Sequence, residues 1–111
     1  MKVGIDIDGT ISDAPWLFQA LTEGLKTFGH EIHIITFRGD RQSAVADLQH
    51  WKIKYDKLHT TSKDVPIGVW KREIVQDYGI NFMIDDMPEV LRTMPPGVGR
   101  LWLCSPEIYK I

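Results

Sequence analysis

The sequence is poor in several features that define whole classes of protein. It has a single cysteine, Cys104, so it cannot form an internal disulfide, which is typical of a reducing compartment. No apolar run approaches the roughly 20 residues that a transmembrane helix needs, and an acidic residue at position 6 argues against a signal peptide. From these absences we expect a cytoplasmic protein that does not span a membrane.

Neither sign of charge is in large excess. The 13 Lys and Arg residues nearly balance the 15 Asp and Glu residues, giving a formal net charge of −2 and a pI near 6.0. This balance does not favour a nucleic-acid backbone or an anionic membrane as the partner, although a local basic patch stays open. The length of 111 residues predicts one domain, over residues 1–111.

The apolar spacing predicts five strands that alternate with four helices. Strands are expected over residues 3–7, 31–36, 55–60, 81–84 and 99–104, and helices over residues 14–28, 41–51, 65–78 and 88–93. Asp40 and Asp64 are expected to cap the second and third helices, and Gly79 to end the third. This order predicts an α/β fold, a Rossmann-like five-stranded parallel sheet with helices on both faces.

Four carboxylates follow two of the predicted strands. Asp6 and Asp8 come at the end of the first apolar segment, and Asp85 and Asp86 follow the fourth. Ligands bind outside the carboxyl ends of parallel strands, and carboxylates this close need a cation or a raised pKa. We therefore predict Mg²⁺ as a cofactor, because it takes a few carboxylate oxygens, keeps waters and bridges to phosphate.

An anion site is expected beside this cluster. Thr36 ends the second strand, and Phe37 and Arg38 follow it, so a hydroxyl, backbone N–H groups and a cation come together. The alternatives are an ordinary β-branched strand residue and a solvated surface arginine. Lys71, on the helix before the fourth strand, could add a second cation or be a surface lysine, and Lys63 in the preceding loop is its rival.

These segments together resemble the haloacid dehalogenase (HAD) superfamily. Residues 6–10, DIDGT, resemble its first motif, DxDGT, and residues 34–36 resemble its second, a hydrophobic strand ending in Thr or Ser. Lys71 fits the third, basic motif, and residues 84–86 resemble the fourth, an acidic pair at a strand end. The four segments occur in the family's order. The resemblance implies a HAD-like fold and a phosphatase, not a dehalogenase, since the second Asp of the first motif is present.

The resemblance also implies a role for each site residue. Asp6 would be the nucleophile that forms an aspartyl-phosphate, and Asp8 the general acid and base. Mg²⁺ would be held by Asp6, the backbone carbonyl of Asp8, and Asp85, with Asp86 binding directly or through water. The residues that would bind the phosphoryl group are Gly9, Thr36, Phe37, Arg38 and Lys71.

A narrower resemblance concerns the substrate. Residues 36–38, 55–58 and 71–74 are similar to segments of the 3′-phosphatase domain of polynucleotide kinases and of small sugar- or nucleotide-linked phosphatases. In that comparison Arg38 matches an arginine that contacts the substrate phosphate. Nucleic acid is thus a possible partner that the acidic pI does not favour. A HAD fold that binds phosphate or serves as a scaffold without catalysis is the further alternative.

The chain lacks room for the cap domain that many HAD enzymes carry. About two dozen residues separate Asp8 from the second strand, and they predict one helix and at most a small flap at residues 11–16. An open site admits a phosphorylated small molecule or macromolecule end, or takes its lid from a partner subunit, so a homodimer is one expectation. Trp16, beside the flap, is predicted to be a core or hinge aromatic, with stacking on a base or sugar as the alternative.

Overall fold

Five strands and four helices alternate along the chain in the computed structural model, which describes residues 1–61 and 64–104. The strands are β1 (Lys2–Ile5), β2 (Glu31–Ile35), β3 (Lys57–His59), β4 (Phe82–Asp85) and β5 (Gly99–Trp102). The helices are α1 (Pro15–Thr27), α2 (Arg41–His50), α3 (Ile67–Tyr78) and α4 (Pro88–Arg92). All strand pairs are parallel, in the order β3-β2-β1-β4-β5. The predicted α/β fold is confirmed.

Helices cover both faces of this sheet, so the central strands are buried on both sides. On one face, α1 and α2 contribute Phe18, Ala44 and Leu48 to a cluster with the isoleucines of β1 and β2. On the other face, α3 and α4 pack Trp70 and Val90 with the remaining side chains of β2 and β4. The continuous apolar segments of the sequence are thus the strands of a two-sided core.

Two of the three residues expected at the ends of α2 and α3 are confirmed, and the third is not. Asp40 caps α2, because its Oδ1 accepts a hydrogen bond of 3.2 Å from the Ser43 amide. Gly79 ends α3 with φ of +65°, the left-handed conformation that glycine adopts without strain. The expectation that Asp64 caps α3 is wrong. Pro66 precedes the first helical residue, with φ of −56° and no side-chain cap, and α3 begins at Ile67.

The segment between β1 and β2 is as short as a capless fold requires. It holds a 3₁₀ turn, Ile11–Asp13, followed by α1. No further domain is inserted within residues 1–61 and 64–104. None of the helices in these two ranges combines the length and apolarity that crossing a membrane requires.

Two histidines are stacked at the β2–β3 side of the sheet. The ring planes of His33 and His59 are nearly parallel, and their centroids are 5.2 Å apart. Nδ1 of His33 lies 2.9 Å from Nε2 of His59. Tyr78 at the end of α3 packs against His59 with a centroid distance of 4.5 Å. His33 is fully buried, and its Nε2 lies 2.6 Å from Oε2 of Glu31. The pair joins the edge strand to the rest of the sheet.

This stack disfavours a proton on His59. Burial, with a smaller contribution from the neighbouring His33, Lys57 and Arg41, lowers the pKa of His59 to about 4. An unfolded histidine has a pKa near 6.5. Between these two values the unfolded chain binds more protons than the folded one, so folding stability is lost as the pH falls.

We therefore predict acid sensitivity that depends on His59. As the pH falls from about 7 to about 4, the free energy of unfolding should decrease by about 1 kcal/mol or more from this group alone, after allowance for solvent screening. Urea titrations across this range measure it. His59→Gln should remove this contribution to the pH dependence and so change its slope, whereas the matched change His50→Gln, at an exposed position on α2, should leave the slope as it is in the wild type. Equal pH slopes in the wild type and His59→Gln would contradict the prediction.

Candidate functional site

Three carboxylates meet at the carboxyl ends of β1 and β4. Asp6 follows β1 directly, and its amide donates to the Ile84 carbonyl at 3.1 Å, which fixes the end of β1 beside β4. Asp85 is the last residue of β4, and Asp86 follows it. Each of the three offers an oxygen atom within 4.8 Å of the others. Asp6 and Asp85 are buried, whereas Asp86 is half-buried, so the cluster reaches solvent at Asp86.

Lys71 is the buried cation of this cluster. Its side chain comes from α3 and is fully buried. Its Nζ donates to Oδ1 of Asp6 at 2.7 Å and to Oδ2 of Asp85 at 2.8 Å. The alternative of a surface lysine is therefore wrong for Lys71. Its rival Lys63 lies outside the described residues.

The carboxylates carry more charge than Lys71 balances. Burial raises the pKa of Asp6 to about 7, with Asp85 adding to the effect and Lys71 opposing it. Burial also raises the pKa of Asp86. Burial alone would lower the pKa of Lys71, but Asp6 and Asp85 outweigh it and the pKa is raised. One ammonium against three carboxylates leaves an excess of negative charge that a bound cation would relieve.

Thr10 belongs to the site, a role that was not predicted from the sequence. It is fully buried, and its hydroxyl donates to Oδ2 of Asp6 at 3.1 Å, with Oδ1 of Asp86 at 3.4 Å as a second acceptor. A single hydroxyl proton serves one of these acceptors at a time. The signal was present in the sequence, because Thr10 is the last residue of the DIDGT segment.

Gly9 allows Asp86 to approach the loop after β1. Its φ is +80°, and a Cβ atom at this position would overlap the Asp86 carboxylate. Any other residue would therefore be strained and would displace Asp86. The Gly9 amide donates to Oγ of Ser12 at 2.9 Å. Its predicted contact with a phosphoryl group stays a prediction.

Thr36 supplies a buried hydroxyl that has no hydrogen-bond partner within the described residues. It follows β2, the strand next to β1, and is fully buried. A buried polar group left unpaired costs about 1–3 kcal/mol, so the hydroxyl is suited to a ligand that supplies the missing partner. Phe37 follows with its ring 5.9 Å from that of Trp70 and remains partly exposed.

Asp8 lies apart from the three clustered carboxylates. Its side chain is 63% exposed and is held by Arg38, which donates from Nε to Oδ2 at 3.0 Å and from Nη2 to Oδ1 at 2.8 Å. This hydrogen bonding lowers the pKa of Asp8. The carboxylate of Asp8 is thus not among the grouped candidate ligands in the described part of the chain, and a metal contact through its backbone carbonyl stays a prediction. The phosphate contact of Arg38 also stays a prediction.

Three exposed aromatic side chains belong to segments that follow or end strands at this edge of the sheet. Trp16 lies in the first turn of α1, which follows β1, and is 74% exposed, so the expected core position is wrong and the hinge alternative stays a prediction. Phe37 follows β2. Trp102 ends β5, and its Nε1 donates to the Asp86 carbonyl at 2.9 Å. Since the carboxyl ends of parallel strands share one edge, these three residues belong to segments at the same edge as the carboxylate cluster.

The architecture is similar to that of two solved structures. The first is described as the structure of a Pnkp1/Rnl/Hen1 complex, with a TM-score of 0.76 and 18% identity over 92% of this chain. The second is described as a Pnkp1/Rnl/Hen1 RNA repair complex, with a TM-score of 0.73 and 16% identity, again over 92% of this chain. This chain spans 45% and 42% of the matched chains. At these identities the likeness establishes the fold. Comparison with protein-family models found no match, and neither did comparison with curated proteins.

We predict that Lys71 is needed for folding of the site. Lys71→Met would leave Asp6 and Asp85 buried without their cation, and breaking a buried ion pair costs about 3–5 kcal/mol. The loss of unfolding free energy should be larger at pH 8 than at pH 5, because at pH 5 protons can neutralise the two carboxylates. Urea unfolding at both pH values measures it.

The matched control is Arg72→Met, at the next, exposed position of α3. It removes the same charge from the surface and should change stability by less than about 0.5 kcal/mol. Equal losses for the two variants would contradict a structural role for the Lys71 ion pairs.

Proposed function

We propose that the protein is a Mg²⁺-dependent phosphatase of the HAD type, which hydrolyses a phosphate monoester through an aspartyl-phosphate on Asp6. The observation that carries the proposal is the cluster of buried Asp6, Lys71 and Asp85 with half-buried Asp86, together with the unpaired hydroxyl of Thr36 at the end of the adjacent strand. In this proposal Asp6 would be the nucleophile, and Lys71 and Thr36 would bind the phosphoryl group.

The donor set suits Mg²⁺. The three candidate ligands are carboxylates, which this hard cation prefers, and they carry excess negative charge. Asp6, Asp85 and Asp86 would hold the ion through their side chains. When bound, the ion would offset the charge of the phosphoryl oxygens.

The reaction proposed for the protein residues has two steps. In the first, a carboxylate oxygen of Asp6 attacks phosphorus, the bond to the leaving oxygen breaks, and Asp8 gives its proton to that oxygen. In the second, water attacks the aspartyl-phosphate and gives a proton to Asp8, releasing phosphate and restoring Asp6. Lys71 and Thr36 would donate hydrogen bonds to the phosphoryl oxygens in both steps. Arg38 favours the ionised form of Asp8, the form that takes the proton from water.

We predict that the purified protein hydrolyses an aryl phosphate when Mg²⁺ is present. EDTA should abolish turnover, and Asp6→Asn should reduce kcat by at least about 1,000-fold, because the amide cannot form the acyl-phosphate. Release of inorganic phosphate measures both. Asp13→Asn, an exposed change in the same loop, is the matched control and should retain activity.

The outcome also separates the proposal from a non-catalytic module. Absence of turnover across a broad panel of phosphate esters with Mg²⁺ would contradict a phosphatase. Binding of inorganic phosphate and Mg²⁺ in calorimetry without turnover would favour a HAD-like phosphate-binding scaffold.

A second candidate function is removal of a 3′-phosphate from a nucleic-acid end. Two observations favour it: the exposed rings of Trp16, Phe37 and Trp102, in segments at the carboxyl edge of the sheet, and the fold shared with a component of an RNA repair complex. Aromatic rings stack on bases without demanding a particular sequence. A site without a cap would admit the end of a strand.

We predict that Trp16→Ala separates the two kinds of substrate. Loss of one base stack costs about 1–3 kcal/mol, so KM for a 3′-phosphorylated oligonucleotide should rise about 5- to 100-fold, while hydrolysis of a simple alkyl phosphate stays unchanged. Phe28→Ala, at the far end of α1 and 82% exposed, is the matched control. Equal effects of Trp16→Ala on both substrates would contradict base stacking.

A further inference from the structure

Arg38 is held from two sides by different parts of the chain. On one side, its Nε and Nη2 donate hydrogen bonds to the two carboxylate oxygens of Asp8, in the loop after β1. On the other side, Nη1 donates to Oδ2 of Asp47 at 2.7 Å and lies 3.5 Å from Oγ of Ser43. Both of these last residues belong to α2. The guanidinium therefore connects α2 to the loop that carries the candidate acid and base.

The α2 side of this connection is rigid. Asp47 lies four residues after Ser43, one turn along the same helix face. Ser43 is itself fixed by Asp40, since its amide donates to Oδ1 of Asp40 and its hydroxyl donates to the Asp40 carbonyl at 3.0 Å. The acceptors for Nη1 are thus presented by a capped helix rather than by a loop.

Asp47 contributes more to the positioning of Arg38 than to the free energy of folding. Its side chain is 41% exposed and that of Asp8 is 63% exposed, and ion pairs in contact with water contribute little to folding. Arginine, however, loses much side-chain freedom when it is fixed. Because Asp47 already orders Arg38, the two hydrogen bonds to Asp8 form with less further loss of entropy.

We propose that Asp47 is a positioning residue, which acts through Arg38 to hold the Asp8 carboxylate in one orientation at the mouth of the site. The effect on catalysis rests on the proposed function, in which Asp8 moves the proton. Each carboxylate oxygen has two lone pairs, so the grip of Arg38 leaves both oxygens of Asp8 able to take a proton.

The first test needs no catalytic activity. In ¹H–¹⁵N spectra, the Nε–H signal of Arg38, assigned by its loss in Arg38→Lys, should be protected from exchange with water in the wild type. Asp47→Ala should remove this protection. Asp77→Ala, a change of the same residue type at an exposed position on α3, should keep it. A protected Arg38 signal in Asp47→Ala would overturn the proposal.

The second test measures turnover of an aryl phosphate. Asp47→Ala should lower kcat by about 10- to 100-fold with little change in KM, because misplacing a catalytic group slows the reacting step. Asp47→Asn, which keeps an acceptor oxygen, should restore part of the rate. Thermal unfolding should be unaffected, since alanine favours the helix.

A double-mutant cycle shows whether Asp47 works through Arg38. In the Arg38→Ala background, Asp47→Ala should cause no further loss of kcat. Full additivity of the two losses, or a lowered melting temperature with unchanged kcat, would overturn the proposal. A wild-type protein without any turnover would instead refute the proposed function, and the spectra would still decide whether Asp47 orders Arg38.

Discussion

The ammonium of Lys71 between two buried carboxylates is the interaction on which the site depends. Buried charges are tolerated when they are paired and hydrogen-bonded, and Lys71 makes both of its contacts within 2.8 Å. It joins α3 to the ends of β1 and β4, so packing of the helix, register of the strands and orientation of Asp6 and Asp85 are set together. Lys71 pairs with Asp6 and Asp85 and leaves the charge of Asp86 unbalanced. This excess negative charge makes the cluster a candidate cation site.

Strand order explains why these residues meet. The chain places β2 on one side of β1 and β4 on the other. In a parallel sheet, the point where the order reverses opens a crevice at the carboxyl ends of the strands. Asp6, Asp85 and Thr36 follow or end these three adjacent strands, so the main candidate residues come from separate parts of the chain but share one crevice.

Much of the fold could be predicted from the sequence, because strands buried on both faces read as continuous apolar segments separated by helical spacing. The carboxylates at strand ends could be placed for the same reason. What could not be predicted depends on tertiary contacts. Pro66 moved the start of α3 away from Asp64, and the pairing of Arg38 with Asp47 joins a loop to an otherwise ordinary polar helix face. Trp16 was expected to be a core or hinge aromatic, but its side chain is exposed in the first turn of α1.

Asp6 and Asp8 are close in sequence but lie in very different environments. Residues two apart on a strand share a face, but β1 ends at Ile5, and the chain turns at Gly9. Asp6 is thereby buried beside Lys71 with a raised pKa, whereas Asp8 reaches solvent and Arg38 lowers its pKa. Two carboxylates with separate tasks need environments that push their pKa values apart. The end of one strand provides that separation. A cation bound beside Asp6 would lower its pKa and favour the ionised nucleophile, whereas Asp8, whose ionised form Arg38 favours, is suited to take the proton from water in the second step.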